Sequence, residues 1–435
     1  MPADPQPDPE FEDGLVRAFD RAAEDVRSVA EPLVTGGLAR GRVRRRRRRI
    51  AAIAGSVTAL AVIGAGGLFT AALGVGHPVP TSHALTAAAT SAPPRLDTGV
   101  NILLIGLDSR KAMDGSDLPG AFVQDQLHAG SSSDIGGYNT DTLLVLHVPA
   151  GGDGKVQAVS IPRDDYVQSA GADGKMHKIE EVYGIAKATA EAKLQGTGLS
   201  PAQLEQQTRE AGRTATIETV QQFLGVPIDH FAEFNLLGFY DIAQAVGPVQ
   251  VCVNHATSDR DSGADLRAGL NTLDPSQALA FVRQRHGVAD GSDRYRTTRQ
   301  QAFIASALHT LRQQGVLTDL SRAQQLLDVV RKDLVIDDQW NLLDFMQQVP
   351  DLIGGNVEYN TLPISGFATV TGEGRSEDVD TVDPALIRRI VQQRFGDASG
   401  VSGTSTASGS AAPDTALPVP GPATVRGDEG IPCVN

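Results

Sequence analysis

Residues Ile50–Gly76 contain no charged side chain, and they follow directly on an unbroken arginine run, Arg44–Arg49. At about 1.5 Å per residue a helix over this stretch would be about 40 Å long. That is enough to cross a hydrocarbon core of roughly 30 Å with some tilt, so a transmembrane helix is expected over residues 50–76. By the positive-inside rule the arginines hold residues 1–49, acidic at first and then Arg-rich, in the cytoplasm and send the rest of the chain outside. A secretory signal peptide cleaved among the small residues after His83 is the competing reading. It is disfavoured because the leading region already runs to Arg49, long for a signal peptide. Elsewhere such an arginine run would suggest nucleic acid. Abutting a membrane span it is accounted for as an anchor beside anionic lipid, and no nucleic-acid partner is expected.

Beyond the span, residues 77–98 are rich in Pro, Ala, Ser and Thr without apolar periodicity, which reads as a flexible tether. Residues 398–435 read as a disordered Ser/Ala/Pro-rich tail. Between them, residues 99–397 alternate strand and helix patterns, the signature of a single α/β domain of α-β-α type with a mixed central sheet. Asn101–Leu107 is a nearly continuous apolar run, as in a buried central strand. Thr142–Val148 and Val156–Ile161 flank Gly151–Gly154 and read as a hairpin. Glu180–Gln222 reads as helical with a break near Gly196–Pro201, followed by a helix over Leu236–Ala245 and a strand over Val249–Val253. Later helices are expected at about Ser321–Lys332, Gln339–Val349 and Pro384–Phe395, around a strand near Val357–Leu362. The only cysteines, Cys252 and Cys433, both fall on the expected outer side. An oxidising compartment favours a disulfide between them; two free thiols are the alternative.

On a 435-residue chain of net charge −14, the segment Phe281–Gln301 is a cationic focus holding Arg283, Arg285, Arg294, Arg296 and Arg299. Arginine suits phosphate because its planar fork donates in pairs and keeps its charge. Asp274-Pro275 predicts a short helix over Ser276–Ala280 that gives way to strand at Phe281. Extended there, the chain would set Arg283 and Arg285 on one face. Gly291-Ser292-Asp293 reads as loop and cap before a helix from Arg294, on which Arg296 and Gln300 are i,i+4 neighbours. The plainer alternative is a solvated, salt-bridged surface.

Folding the hairpin about Gly152 places Asp141 opposite Arg163. If strand 101–107 runs parallel to strand 156–161, Asp108 joins them at the edge where ligands gather in open α/β sheets. Two carboxylates beside arginines are either ordinary salt bridges or a clamp for Mg2+ on phosphate, magnesium favouring hard oxygen ligands. No His/Cys spacing suits zinc, and the histidines, His286 included, read as structural or solvated.

Taken in order, these pieces resemble the LytR-CpsA-Psr family of envelope proteins in its actinobacterial form, over about residues 99–310. The resemblance is carried by NILLIGLDSR at Asn101–Arg110, TDTLLV at Thr140–Val145, SIPRD at Ser160–Asp164 and Lys178-Ile179. GVPIDHF at Gly225–Phe231, the stretches Gly238–Gly247 and Val249–Val253, and ALAFVRQR at Ala278–Arg285 with Asp293–Gln301 complete it. It implies an extracytoplasmic, single-pass membrane phosphotransferase, which moves an anionic glycopolymer such as teichoic acid from a polyprenyl diphosphate carrier to peptidoglycan. By motif matching, Mg2+ would sit on Asp108 and Asp141. The diphosphate donors would be Arg163, Lys178, Arg283, Arg285, Arg296 and Gln300, with Asp108, Asp141, Arg163, Arg283 and Arg285 as the catalytic set. Arg294 and Arg299 are left as ordinary surface charges. The family also buries the carrier's lipid tail in an apolar tunnel, for which residues of Phe223–Phe239 and Phe303–Leu311 are candidates, with plain core as the alternative.

Three departures bear on substrate choice. Asn139 stands where the family often has arginine, Glu180-Glu181 follow the lysine motif, and the charged insertion around Glu191–Arg213 is long. Asp108, Asp141 and Asp164 all remain open as the base for an acceptor hydroxyl. Two other functions fit the same residues less fully: a non-catalytic polyprenyl-lipid binder or diphosphatase, and a membrane-bound transcriptional regulator. Topology separates the last, because a domain outside the membrane cannot touch DNA. Alkaline phosphatase fused after Gly315 should be active, being exported; a reporter active only in the cytoplasm would restore the regulator.

Overall fold

The computed structural model describes residues 80–94, 96, 98–128, 137–150, 154–288, 293–316, 319–341, 356–372, 375–396, 425–426 and 430–435. The expected membrane helix, the Arg-rich segment, residues 342–349 of the helix expected over Gln339–Val349 and most of the tail lie outside these residues; Gln339, Trp340 and Asn341 are described and not helical. No helix among the described residues is long and apolar enough to cross a membrane.

In chain order the elements are β1 (Thr81–Ser82), α1 (Ala84–Ala88), β2 (Gly99–Leu107), β3 (Thr140–Pro149), β4 (Val156–Ile161), β5 (Tyr166–Gln168) and β6 (Met176–Lys178). Then come α2 (Val182–Leu194), α3 (Pro201–Leu224), β7 (His230–Asn235), α4 (Leu236–Val246), β8 (Val249–Val253), β9 (Thr257–Asp259), β10 (Ala264–Leu266) and β11 (Gly269–Leu273). The remainder is α5 (Pro275–Arg283), α6 (Asp293–Gln313), α7 (Leu320–Val330), β12 (Leu334–Asp337), β13 (Val357–Thr361), β14 (Gly366–Gly372), β15 (Arg375–Thr381), α8 (Pro384–Gly396), β16 (Val425–Arg426) and β17 (Cys433–Val434).

Eight strands form the central sheet in the order β1-β12-β7-β2-β3-β4-β13-β16. It is mixed: β2 runs antiparallel to β3 and β3 to β4, whereas β2 is parallel to β7 and β4 to β13. Strand β2 therefore has the same direction as β4, as Asp108 needs. Its run is apolar at nearly every position because both faces are covered, and successive side chains alternate between them. Ile102 joins a core with Ala243, Phe281 and Phe303 from α4, α5 and α6. Leu103 and Ile105 join the opposite core, with Ile217 and Val220 of α3 and Val391 of α8. The α-β-α layering follows directly from that alternation.

Three sequence expectations change. The tether does not hold for residues 80–94: β1 pairs with β12, and Ala84, Leu85 and Ala88 of α1 are buried in the second core. Ser82 Oγ donates to Glu210 Oε2 of α3 at 2.7 Å. Alanine and serine look like low complexity in sequence, yet small side chains are what close helix packing requires. The tail likewise ends in structure, with β16 on β13 and β17 parallel to β8, where Cys433 is disulfide-bonded to Cys252. Finally, Phe281 is not the start of a strand. The capping box of Asp274 and Gln277 starts α5, and the buried run Ala278–Val282 carries it to Arg283, where Gln284 leaves the helix.

Replacing Leu85, which is 8% exposed, by alanine should lower the unfolding free energy of the chain by about 2 kcal/mol or more. Urea titration reads this directly. A residue in a free tether would leave the midpoint unchanged.

Candidate active site

The register of the first hairpin builds the site. Leu143 pairs with Ile161, so Asp141 and Arg163 face each other just past the β4 end of the ladder. Arg163 Nη1 donates to Asp141 Oδ1 at 2.6 Å. Between Gly106 and Leu107 the β2–β3 register slips, and the Asp108 amide then bonds the Asn139 carbonyl at 2.9 Å. A bulge of this kind re-aims the chain where a strand ends, and it brings Asp108 to the same edge.

Helix α6 supplies the second cation. It is pinned to the sheet by buried Gln301, whose Nε2 donates to Ser160 Oγ at 2.8 Å and to Thr361 Oγ1 at 3.0 Å. Arg296, one turn into the helix, donates from Nη1 to Asp141 Oδ2 at 3.1 Å. Asp141 is thus gripped from two sides. Burial works against its charge, but Arg296, Arg163 and Arg285 outweigh it and hold the carboxyl below its ordinary range.

Asp293, read from sequence only as a cap, proves central. Its Oδ1 lies 2.7 Å from Arg296 Nη2, 3.1 Å from Arg163 Nε and 3.8 Å from Arg285 Nη2. Glu180 was read as a departure, and its Oε2 lies 2.7 Å from Arg163 Nη1. Arg163, ringed by Asp141, Asp293, Glu180 and Asp164, holds its proton more tightly than usual although burial opposes this. Arg283 and Arg285 are the reverse. Burial, then the neighbouring cations Arg110 and Arg296, loosens the proton on Arg283, and burial with Arg296 and Arg163 does so on Arg285. Asp108 and Asp141 oppose this on Arg283, as Asp141 and Asp293 do on Arg285.

Asp108, Asp141, Arg163, Arg283, Arg285 and Arg296 line one cavity, together with Asn139, Glu180, Asp259 and His286. Asp141, Arg283 and Arg296, with Gln300, also bound a second, small cavity of about 50 Å³ whose remaining wall is mostly apolar. Gly106, Leu107, Phe234, Leu236, Phe239, Leu279 and Val282 form that wall. A Cβ at Gly106 would meet the Thr142 Cβ at 2.9 Å. Of the residues suggested for an apolar tunnel, Phe234, Leu236 and Phe239 line this cavity. Phe223 belongs to the core on the other face, and Phe303 packs on Phe239 with ring centroids 5.1 Å apart.

Lys178 is not brought in. Its Nζ donates to Asp164 Oδ1 at 2.7 Å, and it lines neither cavity. Arg283 and Arg285 share the cavity because one ends a helix and the other leaves it, with buried Gln284 between them pointing elsewhere. Arg299 is no surface charge, being 1% exposed.

The fit to a divalent cation rests on Asp108. Burial, then repulsion from Asp141, raises its proton affinity, and its carboxylate accepts no hydrogen bond from any described residue. Two adjacent carboxylates, one with free lone pairs, form a hard-oxygen donor set suited to magnesium. His286 Nδ1 lies 3.4 Å from Asp259 Oδ1, so this histidine belongs to the cavity rim.

A mixed sheet whose edge gathers carboxylates and guanidiniums around one cavity defines the α/β architecture of the chain. The chain belongs to the LytR_cpsA_psr family, whose model matches residues 79–382. It is 37% identical to cell wall biosynthesis protein LcpA of Corynebacterium glutamicum over 73% of this chain and 60% of that one. Polyisoprenyl-teichoic acid–peptidoglycan teichoic acid transferase TagU of Halalkalibacterium halodurans is 27% identical over 63% of this chain and 78% of that protein. Among solved structures, the LytR-Csp2A-Psr enzyme from Actinomyces oris matches with a TM-score of 0.46 at 18% identity, covering 74% of this chain and 97% of that one. The chain therefore spans less than two thirds of the length of LcpA.

Burial, reinforced by Asp141 and Asp164, pushes Glu180 up to about 7 against the pull of Arg163 and Lys178. An acid that holds its proton better in the folded state stabilises fully below its unfolded value and loses that contribution as pH rises through the folded one. Between pH 4.5 and about 7, wild-type stability should fall by more than that of Glu180→Gln, measured by urea midpoints across that range. Parallel profiles would contradict the placement of Glu180.

Proposed function

We propose that this chain is an extracytoplasmic phosphotransferase that moves an anionic glycopolymer from a polyprenyl diphosphate carrier to peptidoglycan, releasing polyprenyl phosphate. One observation carries the reading: Asp141, Arg283 and Arg296 line both a polar cavity, shared with Asp108 and Arg285, and a mostly apolar cavity. That combination suits a ligand with two phosphates and a hydrocarbon tail. Support also comes from the printed name of the relative TagU, a teichoic acid transferase acting on peptidoglycan, and from the arginine run and uncharged span of the sequence.

In this reading the acceptor hydroxyl oxygen attacks the phosphorus that carries the glycopolymer. A new phosphodiester P–O bond forms as the P–O bond to the polyprenyl phosphate breaks. Arg283, Arg285 and Arg296 hold the departing phosphate oxygens, where negative charge grows, and preorganised donors give most of the acceleration in such transfers. Gln300 adds a neutral donor in the apolar cavity beside Arg296. Mg2+ on Asp108 and Asp141 would supply neutralising charge at the phosphate oxygens. The acceptor proton goes to Asp108, since Asp141 is clamped by two guanidiniums and Asp164 by Lys178.

Purified full-length chain, lipid diphosphate-linked polymer, Mg2+ and peptidoglycan should give polymer-bearing peptidoglycan. Arg283→Ala and Arg285→Ala should each lower the rate about 100-fold or more, and chelation should abolish it. Near-normal ligation by both variants would overturn the assignment. Release of free phosphorylated polymer would make the protein a diphosphatase, and binding without product a carrier.

A further inference from the structure

Between Arg283 and Arg285 stands Gln284, fully buried and extended with φ −57° and ψ 131°. Its neighbours reach the cavity, while its own amide turns inward. Gln284 Oε1 accepts from Arg299 Nη1 at 2.7 Å, and Gln284 Nε2 donates to Thr257 Oγ1 at 2.5 Å and to the His286 carbonyl at 2.8 Å. Thr257 Oγ1 in turn donates to the Gly287 carbonyl at 2.7 Å. Gly287 takes φ +72°, where an added Cβ would meet the Ser258 carbonyl at 2.8 Å. The arm 284–287 is thereby held from behind, and on the cavity side Asp259 Oδ2 accepts from the amides of Arg285 at 3.2 Å and His286 at 3.4 Å.

Arg299 is the unusual member. It is a guanidinium at 1% exposure without an ion pair to a side-chain carboxylate among the described residues. Its partners are Gln284, the face of Phe281 at 4.9 Å, and the main-chain oxygen of Asn435, which accepts from Nε at 2.8 Å. Asn435 follows β17, the strand fixed by the Cys252–Cys433 disulfide and by the Asn254 amide bonding the Val434 carbonyl at 2.8 Å. A buried cation with so few partners needs each of them, because an unpaired buried donor carries its full desolvation penalty.

We propose that Gln284 and Arg299 are positioning residues for Arg285 in binding the diphosphate, and that the disulfide-held strand β17 is part of the same device. The proposal rests on the diphosphate reading above. Neither residue touches the ligand; each acts by fixing where the arm carries its guanidinium.

The test uses full-length protein, Mg2+ and farnesyl diphosphate in titration calorimetry. Gln284→Met, close to isosteric, should weaken binding about tenfold. The double variant Gln284→Met/Arg285→Ala should bind no more weakly than Arg285→Ala alone, because residues acting through one another are non-additive. Additive losses would mark a general packing defect and overturn the proposal, as would unchanged affinity in Gln284→Met. Should Gln284→Met fail to fold by circular dichroism, Arg299→Lys and dithiothreitol-reduced wild type decide. Each should be folded and bind several-fold more weakly, and unchanged affinity in both would overturn it. A wild type that takes up no farnesyl diphosphate removes the diphosphate reading itself, and this proposal with it.

Discussion

The Asp141 carboxylate is shared by two guanidiniums that arrive from different elements, Arg163 from the exit of β4 and Arg296 from the first turns of α6. Each charge is costly to desolvate, and removing one partner would leave the others buried and unmatched. The cluster therefore stands or falls together. It fixes helix α6 over the end of the sheet and consumes the acids nearby, Asp293 and Glu180 among them. Arg283 and Arg285 lie at the edge of this cluster, Arg285 with only a long 3.8 Å contact to Asp293. On the proposed reading they are the cations that a bound anion would satisfy.

Packing explains why the cluster lies at that spot. The two cores on either face of the sheet hold β2, β3 and β4 in a single register, and that register sets Asp141 against Arg163. Phe281 links core and site: it is core for α5, and it is also the surface on which Arg299 rests. Energetically the apolar layers make the ionic end possible, since a sheet edge held only by ion pairs would be screened and mobile.

Much of this was legible in the sequence wherever periodicity and register are local. The hairpin arithmetic about Gly152 placed Asp141 opposite Arg163, and the apolar run of β2 announced a strand covered on both faces. Elsewhere the sequence misled for identifiable reasons. A run of five apolar residues after Asp274-Pro275 serves a helix or a strand equally well, and here helix continued through Arg283. Asp293 looks like any helix-capping acid, because the cations that it gathers lie far away in the chain. Arg299 sits among other charges in sequence, and only the arrival of Asn435 and Gln284 makes it interior. Alanines before residue 94 carry no periodic signal that separates close packing from a tether. Lys178 matched a motif, yet Asp164 claims its ammonium.

The central claim is that Arg283, Arg285 and Arg296 face a diphosphate whose hydrocarbon tail enters the cavity walled by Phe234, Phe239 and Leu279. A crystal structure of the chain with geranylgeranyl diphosphate and Mg2+ tests it most directly. The account predicts both phosphates between those guanidiniums and the Asp108–Asp141 pair, with the isoprenoid in the apolar cavity. Phosphates bound elsewhere on the surface, or a tail lying outside that cavity, would contradict it.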